Sequence, residues 1–514
     1  MKQQRATGRM VSVTQSLPPP VGGWNARDAI ANMAPEDAVT MLNWFPMPSD
    51  IMVRKGWTTA SSGFGAQVET VMAYNKQSGT GNLFGAAGTT IWTADSATAS
   101  AMVTSQQNAR FQYVNFTPAS GVPYIVACNG ADGPLLYNGT SWTSASASIS
   151  GFSCSNAIGV NVFKQRLFFV EQNTLKAWYL NTGSIAGTAA AVDLSAFTRQ
   201  GGYLMAMGTW TLDAGAGVDD YAVFVTSKGE VIVYQGTDPS DATKWAMKGL
   251  WQLGSPIGRR CLKRYAGDLL LICIDGVVPL SKALISSRVQ PKVALTDKIQ
   301  GAMSTAAQNY AANYGWDLLF SPKNSMLLLN VPVSAGSNQQ QYAMNTITGA
   351  WGNFQSISAN CWELYNDDPY FGGNAIIGKF WNAFSDADGV SNIQTESLQA
   401  FNYFGQRGRL KHFKEARPIF SSDGNPSVQA KIEVDYTVSS TSGTISFTPT
   451  TYAAWDAATW DAAMWGGALT ILKNWQTMGA IGTSAAPHIF TASKGIEVHW
   501  QATDFLYETG GVIG

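Results

Sequence analysis

The sequence predicts an all-β chain: a β-propeller of about six or seven blades with a C-terminal β-sandwich-like platform domain. Three observations predict it. Short apolar strands recur as hairpins along most of the chain. Helical signal is confined to two short stretches. The character of the sequence changes near residue 395. Composition agrees, since Gly is 51 and Trp 18 of 514 residues. Charged residues are 13% of the chain, about half the roughly 25% of an ordinary soluble domain. Such a chain is too apolar and aromatic for disorder. A net charge of −1 excludes a strong overall positive field for holding nucleic acid.

Taken in order, residues 1–58 read as an N-terminal extension and entry to the propeller, with a short helix expected around Pro35 to Trp44. Residues 59–394 carry the hairpins. Leu83-Phe84-Gly85 leads through Gly88 to Ile91-Trp92, and Tyr124 to Cys128 turns at Asn129-Gly130 into Leu135-Leu136-Tyr137. Arg166 to Val170, Tyr221 to Val225, Leu269 to Ile274, Met326 to Val331 and Tyr370 to Gly373 each begin a similar pair. The turns fall near 88, 130, 173, 229, 276, 335 and 373, at intervals of 42, 43, 56, 47, 59 and 38 by subtraction. Four-stranded propeller blades repeat at about 40–50 residues. A set of sandwich domains would also show regular strands, but the repeat length favours the propeller. Trp92, Tyr137, Trp178, Tyr234 and Trp381 end returning strands and suit packing between blades. Thr296 to Asn313, rich in Ala, is the second expected helix.

Residues 395–514 read as a β-rich platform and interaction domain. Val428 to Thr437 and Ile496 to Ala502 alternate apolar and polar residues, as half-buried strands do. Before them, Arg407, Arg409, Lys411, His412, Lys414 and Arg417 face only Glu415. This stretch could touch phosphates or could form a solvated or subunit-facing edge; the second is the plainer reading. Arg259-Arg260 with Lys263 and Arg264 offers the same two readings. Trp455, Trp460 and Trp465 recur every five residues within Ala454 to Gly466. Five steps turn a helical side chain by about 140° and reverse a strand side chain, so no regular element aligns them. A looped segment with each Trp anchored in a groove is expected.

Signals for chemistry are few. The five Cys are scattered without a CxxC pair, which fits buried small side chains and neither zinc nor a disulfide framework. Asp213 to Asp220 spaces acids around glycines, loosely like a Ca²⁺ loop but more simply an acidic hairpin turn. The three His, at 412, 488 and 499, sit in no nucleophile or metalloprotease motif. No phosphate-cradling loop or cofactor motif occurs. A propeller glycosidase would need two carboxylates about 5–9.5 Å apart, which sequence alone does not place. No apolar run reaches the roughly 18 residues of a spanning helix, and no apolar stretch follows Lys2, Arg5 and Arg9 as a secretory signal would.

Several segments together resemble one family. Gly22-Gly23-Trp24-Asn25-Ala26-Arg27-Asp28 is followed by Met33 to Ala38, Leu42 to Pro46 and Arg54-Lys55-Gly56-Trp57. Lys164 to Phe169, Gly201 to Leu204, Thr226 to Val231 and Tyr234 to Pro239 continue the series. Gly254 to Arg260, Asn345 to Trp351, the Trp repeat and the Gly-rich C-terminus complete it. In this order they resemble the tail nozzle family of short-tailed bacteriophages, also called tail tubular protein B or packaged-DNA stabilisation proteins. The resemblance implies a structural virion protein made in the host bacterial cytoplasm and located in the tail. It implies a homo-oligomeric ring of six copies below the portal and the head-to-tail adaptor ring, with tail fibre or needle proteins as further partners. Viral double-stranded DNA would be retained by the ring after packaging and pass through it at ejection. The family implies no enzymatic activity and no cofactor. On this reading acidic propeller loops line the channel, and Arg407, Arg409, Lys411 and Lys414 face a neighbouring subunit or the adaptor, with Trp455, Trp460 and Trp465 in the same interaction domain. The rival reading is a virion propeller that binds a host glycan or receptor, and a third is the glycosidase.

Overall fold

In a computed structural model of the chain, the described residues are 12–76, 79–213, 218–284, 293–334, 337, 339–438, 444–445 and 469–512. They form two compact units. One comprises Thr59–Tyr342 and Ser356–Phe380; the other draws on the residues up to Thr58, Ala343–Gln355 and those from Trp381 on.

The first unit is a β-propeller. Its strands follow one another as antiparallel meanders: Gln112–Phe116, Tyr124–Cys128, Leu135–Tyr137 and Trp142–Ser144 make one four-stranded sheet. Ala157–Phe163, Arg166–Glu171, Lys176–Tyr179 and Ala190–Asp193 make the next, and Leu204–Asp213, Val218–Thr226, Glu230–Gly236 and Trp245–Gln252 another. Leu262–Tyr265, Asp268–Cys273 and Gly276–Pro279 follow as a three-stranded sheet. The turn residues expected at 88, 130, 173, 229 and 276 all have positive φ, from +58° to +120°.

Period-2 geometry explains why the sheets stack around an axis. Successive side chains on a strand point to opposite faces, and here both faces are apolar. Ile125 and Ala127 join Met72, Phe84 and Ile91 of the preceding sheet, whereas Val126 and Cys128 join Leu167 and Phe169 of the following one. Phe168 and Val170 then pack onward against Leu204, Phe224 and Ile232. Each sheet is thus a slab with two buried sides. Aromatic contacts mark the seams: Tyr74 meets Tyr137 edge-on at 5.1 Å, and Phe168 stacks on Trp245 at 6.4 Å. Strand Gly56–Tyr74 lies in the middle of one seven-stranded sheet. Its later part pairs with Asn82–Ala87 and it also lies beside Asn374–Ala383, so an early strand joins early strands of the chain to late ones.

Two expectations change. Pro35 to Trp44 holds no α-helix; Asp37–Leu42 is a strand, antiparallel to Ile393–Gln399. Ala38 and Met41 have good helix propensity, but that preference yields to a buried sheet position. Trp381 does not pack between blades; it meets Phe45 at 5.3 Å and Phe354 at 6.1 Å in the second unit. The Ala-rich stretch is helical as expected, with a 3₁₀ turn Asp297–Ile299 leading into Gln300–Tyr310.

The second unit is a β-sandwich. One sheet contains Trp44–Pro46, Ile51–Val53, Val498–Val512, Arg409–Ser422, Thr470–Lys473, Gln476–Gly482 and Ser12–Leu17. The facing sheet contains Asp37–Leu42, Ile393–Gln399, Ala485–Ser493 and Ser427–Val434. Trp44, Phe420, Val498 and Trp500 of the first pack against Met41, Ile393, Val428 and Ile489 of the second. The segment before residue 58 and the segment after 395 therefore share one core. The five cysteines are buried and free. Among the described residues no helix is long and apolar enough to cross a membrane.

Candidate functional site

The basic stretch expected at an interface begins just before strand Arg409–Ser422 of the sandwich. Its cations divide into two groups. Lys411 is buried, and its Nζ donates to the carbonyls of Gln406, Arg409 and Thr483 at 2.7, 3.3 and 2.8 Å. Burial pulls the Lys411 pKa below its usual value, with the charge of Asp435 opposing. Lys414 pairs with Glu508 at 2.6 Å. Arg417 pairs with Asp504 at 2.6 Å and lies over the Trp475 ring at 4.7 Å. Those three are committed inside the unit. Arg407 and Arg409 are exposed, Arg407 resting over Tyr403 at 4.5 Å. Exposed apolar side chains accompany them on the same sheet: Ile471 and Ile481 at 61% and 62%, with Leu410 and Trp475. Ile481 stands directly opposite His412 in the ladder. Trp455, Trp460 and Trp465 lie outside the described residues, as do 214–217 of the acidic loop. The loop's Asp220 pairs with Lys164 at 2.6 Å and accepts from Thr211 at 2.8 Å. Burial opposes its ionisation, yet these partners hold its pKa below the usual carboxylate value. Among the described residues no group of three acids, His or Cys could hold a metal ion.

The second basic patch lines the axis of the propeller. A cavity of about 490 Å³ is walled chiefly by seven strands: Gly56–Tyr74, Gln112–Phe116, Ala157–Phe163, Leu204–Asp213, Leu262–Tyr265, Asp317–Ser321 and Cys361–Tyr365. Six of them are edge strands whose free edge faces the cavity, whereas Gly56–Tyr74 has a neighbour on both sides. Arg259, Arg260, Lys263 and Arg264 all reach this wall from one sheet, against the carboxylates Asp317 and Glu363. Neutral polar groups supply most of the rest, including Gln112, Asn115, Asn161 and Thr209.

Arg260 is fixed in place. Its Nη2 lies within hydrogen-bond reach of the Glu69 carbonyl at 3.0 Å, Thr70 Oγ1 at 2.9 Å and Tyr314 Oη at 2.8 Å. Its buried Nη1 has no hydrogen-bond partner and sits 3.6 Å from Asp317. The guanidinium groups of Arg110 and Arg260 lie 4.4 and 5.4 Å from the centre of the Tyr314 ring. Burial pushes the Tyr314 phenol up to about 12, with Arg260 opposing. Burial and the charge of Glu363 likewise hold the Tyr113 phenol protonated. Arg264 donates to the Thr209 carbonyl and Thr211 Oγ1 at 3.3 and 3.1 Å. A second cavity of about 640 Å³ shares Gln112, Met205, Arg259 and Arg260 with the first, so these residues stand where the two meet.

Sequence reasoning found both basic patches but not their settings. That Arg259 to Arg264 would line an axis follows only once their strand is known to come first in its sheet. The run of basic residues at the opening of a repeat was the available signal.

No family model and no curated protein matches the chain. Similar solved structures include the Cps50 (Swd1) β-propeller domain of Myceliophteria thermophila, at 10% identity and a TM-score of 0.41, covering 63% of this chain and 99% of that one. The computationally designed Ika8 protein is similar at 9% identity and 0.38, covering 64% and 99%. The extracellular domain of the hybrid two component system BT4673 from B. thetaiotaomicron is similar at 12% and 0.43, covering 63% and 39%. At these values the propeller assignment rests on the sheets themselves.

Proposed function

We propose that this β-propeller protein is a structural subunit of a phage tail nozzle. Copies of it form a ring, of six by the family resemblance, that closes the DNA channel after packaging and passes DNA at ejection. The channel of this reading lies among the copies and is distinct from the axial cavity of one propeller. The reading assigns the chain no catalysis. The observation that carries it is the exposure of Ile471, Ile481, Leu410 and Trp475, with Arg407 and Arg409, on or beside one sheet of the sandwich, where Ile471 stands opposite Ser421 and Ile481 opposite His412. Apolar side chains mixed with Arg and aromatics are the composition of protein–protein contact surfaces. A ring requires such a surface on every copy. Low overall charge supports the same reading, because a wall that DNA slides past must not grip phosphates.

Native mass measurement of the purified full-length chain tests it. A closed ring of about six chains, placed at the virion neck by labelled images, is the expected result. A monomer that binds host glycans would overturn it in favour of a receptor-binding propeller.

A further inference from the structure

We propose that the axial cavity of the propeller is a binding site for a small oxyanion carrying two or more negative charges, of the phosphate or pyrophosphate class. Four cations and two carboxylates line the cavity, an excess of two positive charges. One of the carboxylates, Asp317, is buried beside Arg260 and is spent on it. Among the described residues Arg259 and Lys263 have no hydrogen-bond or ion-pair partner, although the surrounding wall is rich in acceptors for Arg260 and Arg264. Clustered cations in excess of the nearby carboxylates repel one another, and concave low-dielectric walls concentrate their field. An anion held between them relieves that repulsion.

Size and donors narrow the class. A volume of about 490 Å³ falls within the range of small-molecule sites, roughly 300–1,000 Å³. Arg259 offers a planar fork suited to two oxygens of one phosphate, and Lys263 offers a point charge for a second group. Gln112, and the second amide N–H of Asn161, whose first donates to Thr209 Oγ1 at 3.0 Å, supply donors for the remaining oxygens. Arg260, locked by its neighbours, adds a fixed charge behind them. Unpaired cations on one side and neutral donors on the others suit a compact, highly charged anion better than an extended polymer.

Titration calorimetry of the full-length protein with inorganic pyrophosphate at low salt tests the site, with orthophosphate in a second series. Saturable binding at one anion per chain is expected, tighter for pyrophosphate. The double variant Arg259→Gln/Lys263→Gln should weaken it at least tenfold. Each single variant should weaken it measurably, which keeps the test valid if the double variant folds poorly. Lys248→Gln, at an exposed position on strand Trp245–Gln252 away from the cavity, should leave binding unchanged. Absence of saturable binding overturns the proposal. So does undiminished binding in the Arg259 and Lys263 variants, or loss of binding in the Lys248 variant.

Discussion

Arg54 and Asp386, 332 residues apart in sequence, are joined by two parallel hydrogen bonds of 2.8 and 2.7 Å inside the sandwich. Their side chains are 0% and 5% exposed. The remaining donors of Arg54 reach Asn43 Oδ1 at 2.9 Å, the Lys55 carbonyl at 3.1 Å and the Gln355 carbonyl at 2.9 Å. All five guanidinium N–H groups are therefore used. The pair ties the segment before residue 58 to the segment after 380.

Removing one member leaves the other charge buried and unpaired. Such a loss costs about 3–5 kcal/mol. Asp386→Ala is therefore expected to lower the urea midpoint of the sandwich sharply, and Arg54→Lys to lower it less but clearly, because an ammonium group cannot reproduce the planar fork. A midpoint for Asp386→Ala within error of the native protein would show that the pair contributes little.

Glycines at two positive-φ positions of the propeller separate two kinds of constraint. Gly229 has φ +82° in the turn between Val218–Thr226 and Glu230–Gly236, and a Cβ there would lie 2.3 Å from the Leu253 carbonyl oxygen. Gly65 has φ +72° with nothing within 4 Å of its Cβ position. Left-handed backbone costs an L-residue roughly 1–2 kcal/mol by itself. Gly65→Ala should cost about that much. Gly229→Ala should cost distinctly more, since the backbone of residue 253 must also shift. Thermal unfolding of the two variants compares them directly, and equal midpoints would refute the steric part of the argument.

How far the sequence could be read depended on the range of the interactions involved. Turns at Gly88, Gly130, Gly229 and Gly276 were visible because positive φ is a local demand that few residues meet. Two-sided apolar strands such as Leu167 to Val170 were visible for the same reason: the pattern is contiguous. The pairing of Ser12–Leu17 with Thr503–Glu508 was not, because its partners are almost a chain length apart. Asp37–Leu42 went the same way, its strand state being set by a partner near residue 397. At the sites, charge could be counted but its disposition could not. Lys411 and Arg407 look alike in sequence, yet one is buried among three carbonyls and the other lies on a Tyr ring.

His499 gives the sandwich a pH dependence of defined sign. Its Nδ1 lies 3.0 Å from Asp50 and its Nε2 3.1 Å from Glu497. Burial opposes the charged imidazole, but hydrogen bonds to these carboxylates outweigh it and raise the pKa above its usual value. A raised folded-state pKa means the folded state binds the proton more tightly than the unfolded chain. The resulting stabilisation is full below the unfolded value of about 6.5, as long as the carboxylates stay ionised, and is lost as pH rises through the folded value. The stability difference between native protein and His499→Gln should accordingly be larger at about pH 5.5 than at about pH 8.5. Denaturant titrations at the two pH values measure it. A difference that grows toward alkaline pH would contradict the assignment.

The proposed contact between copies makes the last prediction. Among the described residues Ile471 and Ile481 are two of the more exposed large apolar side chains, at 61% and 62%. Surface substitutions away from structural features usually change stability by less than about 0.5 kcal/mol. Ile471→Asp/Ile481→Asp should therefore leave the unfolding transition of the isolated chain nearly unchanged. Buried in a contact between copies, the same two carboxylates would lose their hydration without a partner. The variant should shift the sedimentation profile from ring to monomer at concentrations where the native chain assembles, and Arg407→Glu/Arg409→Glu should weaken assembly with a marked salt dependence. A variant that still assembles as the native chain does would place the contact elsewhere on the molecule.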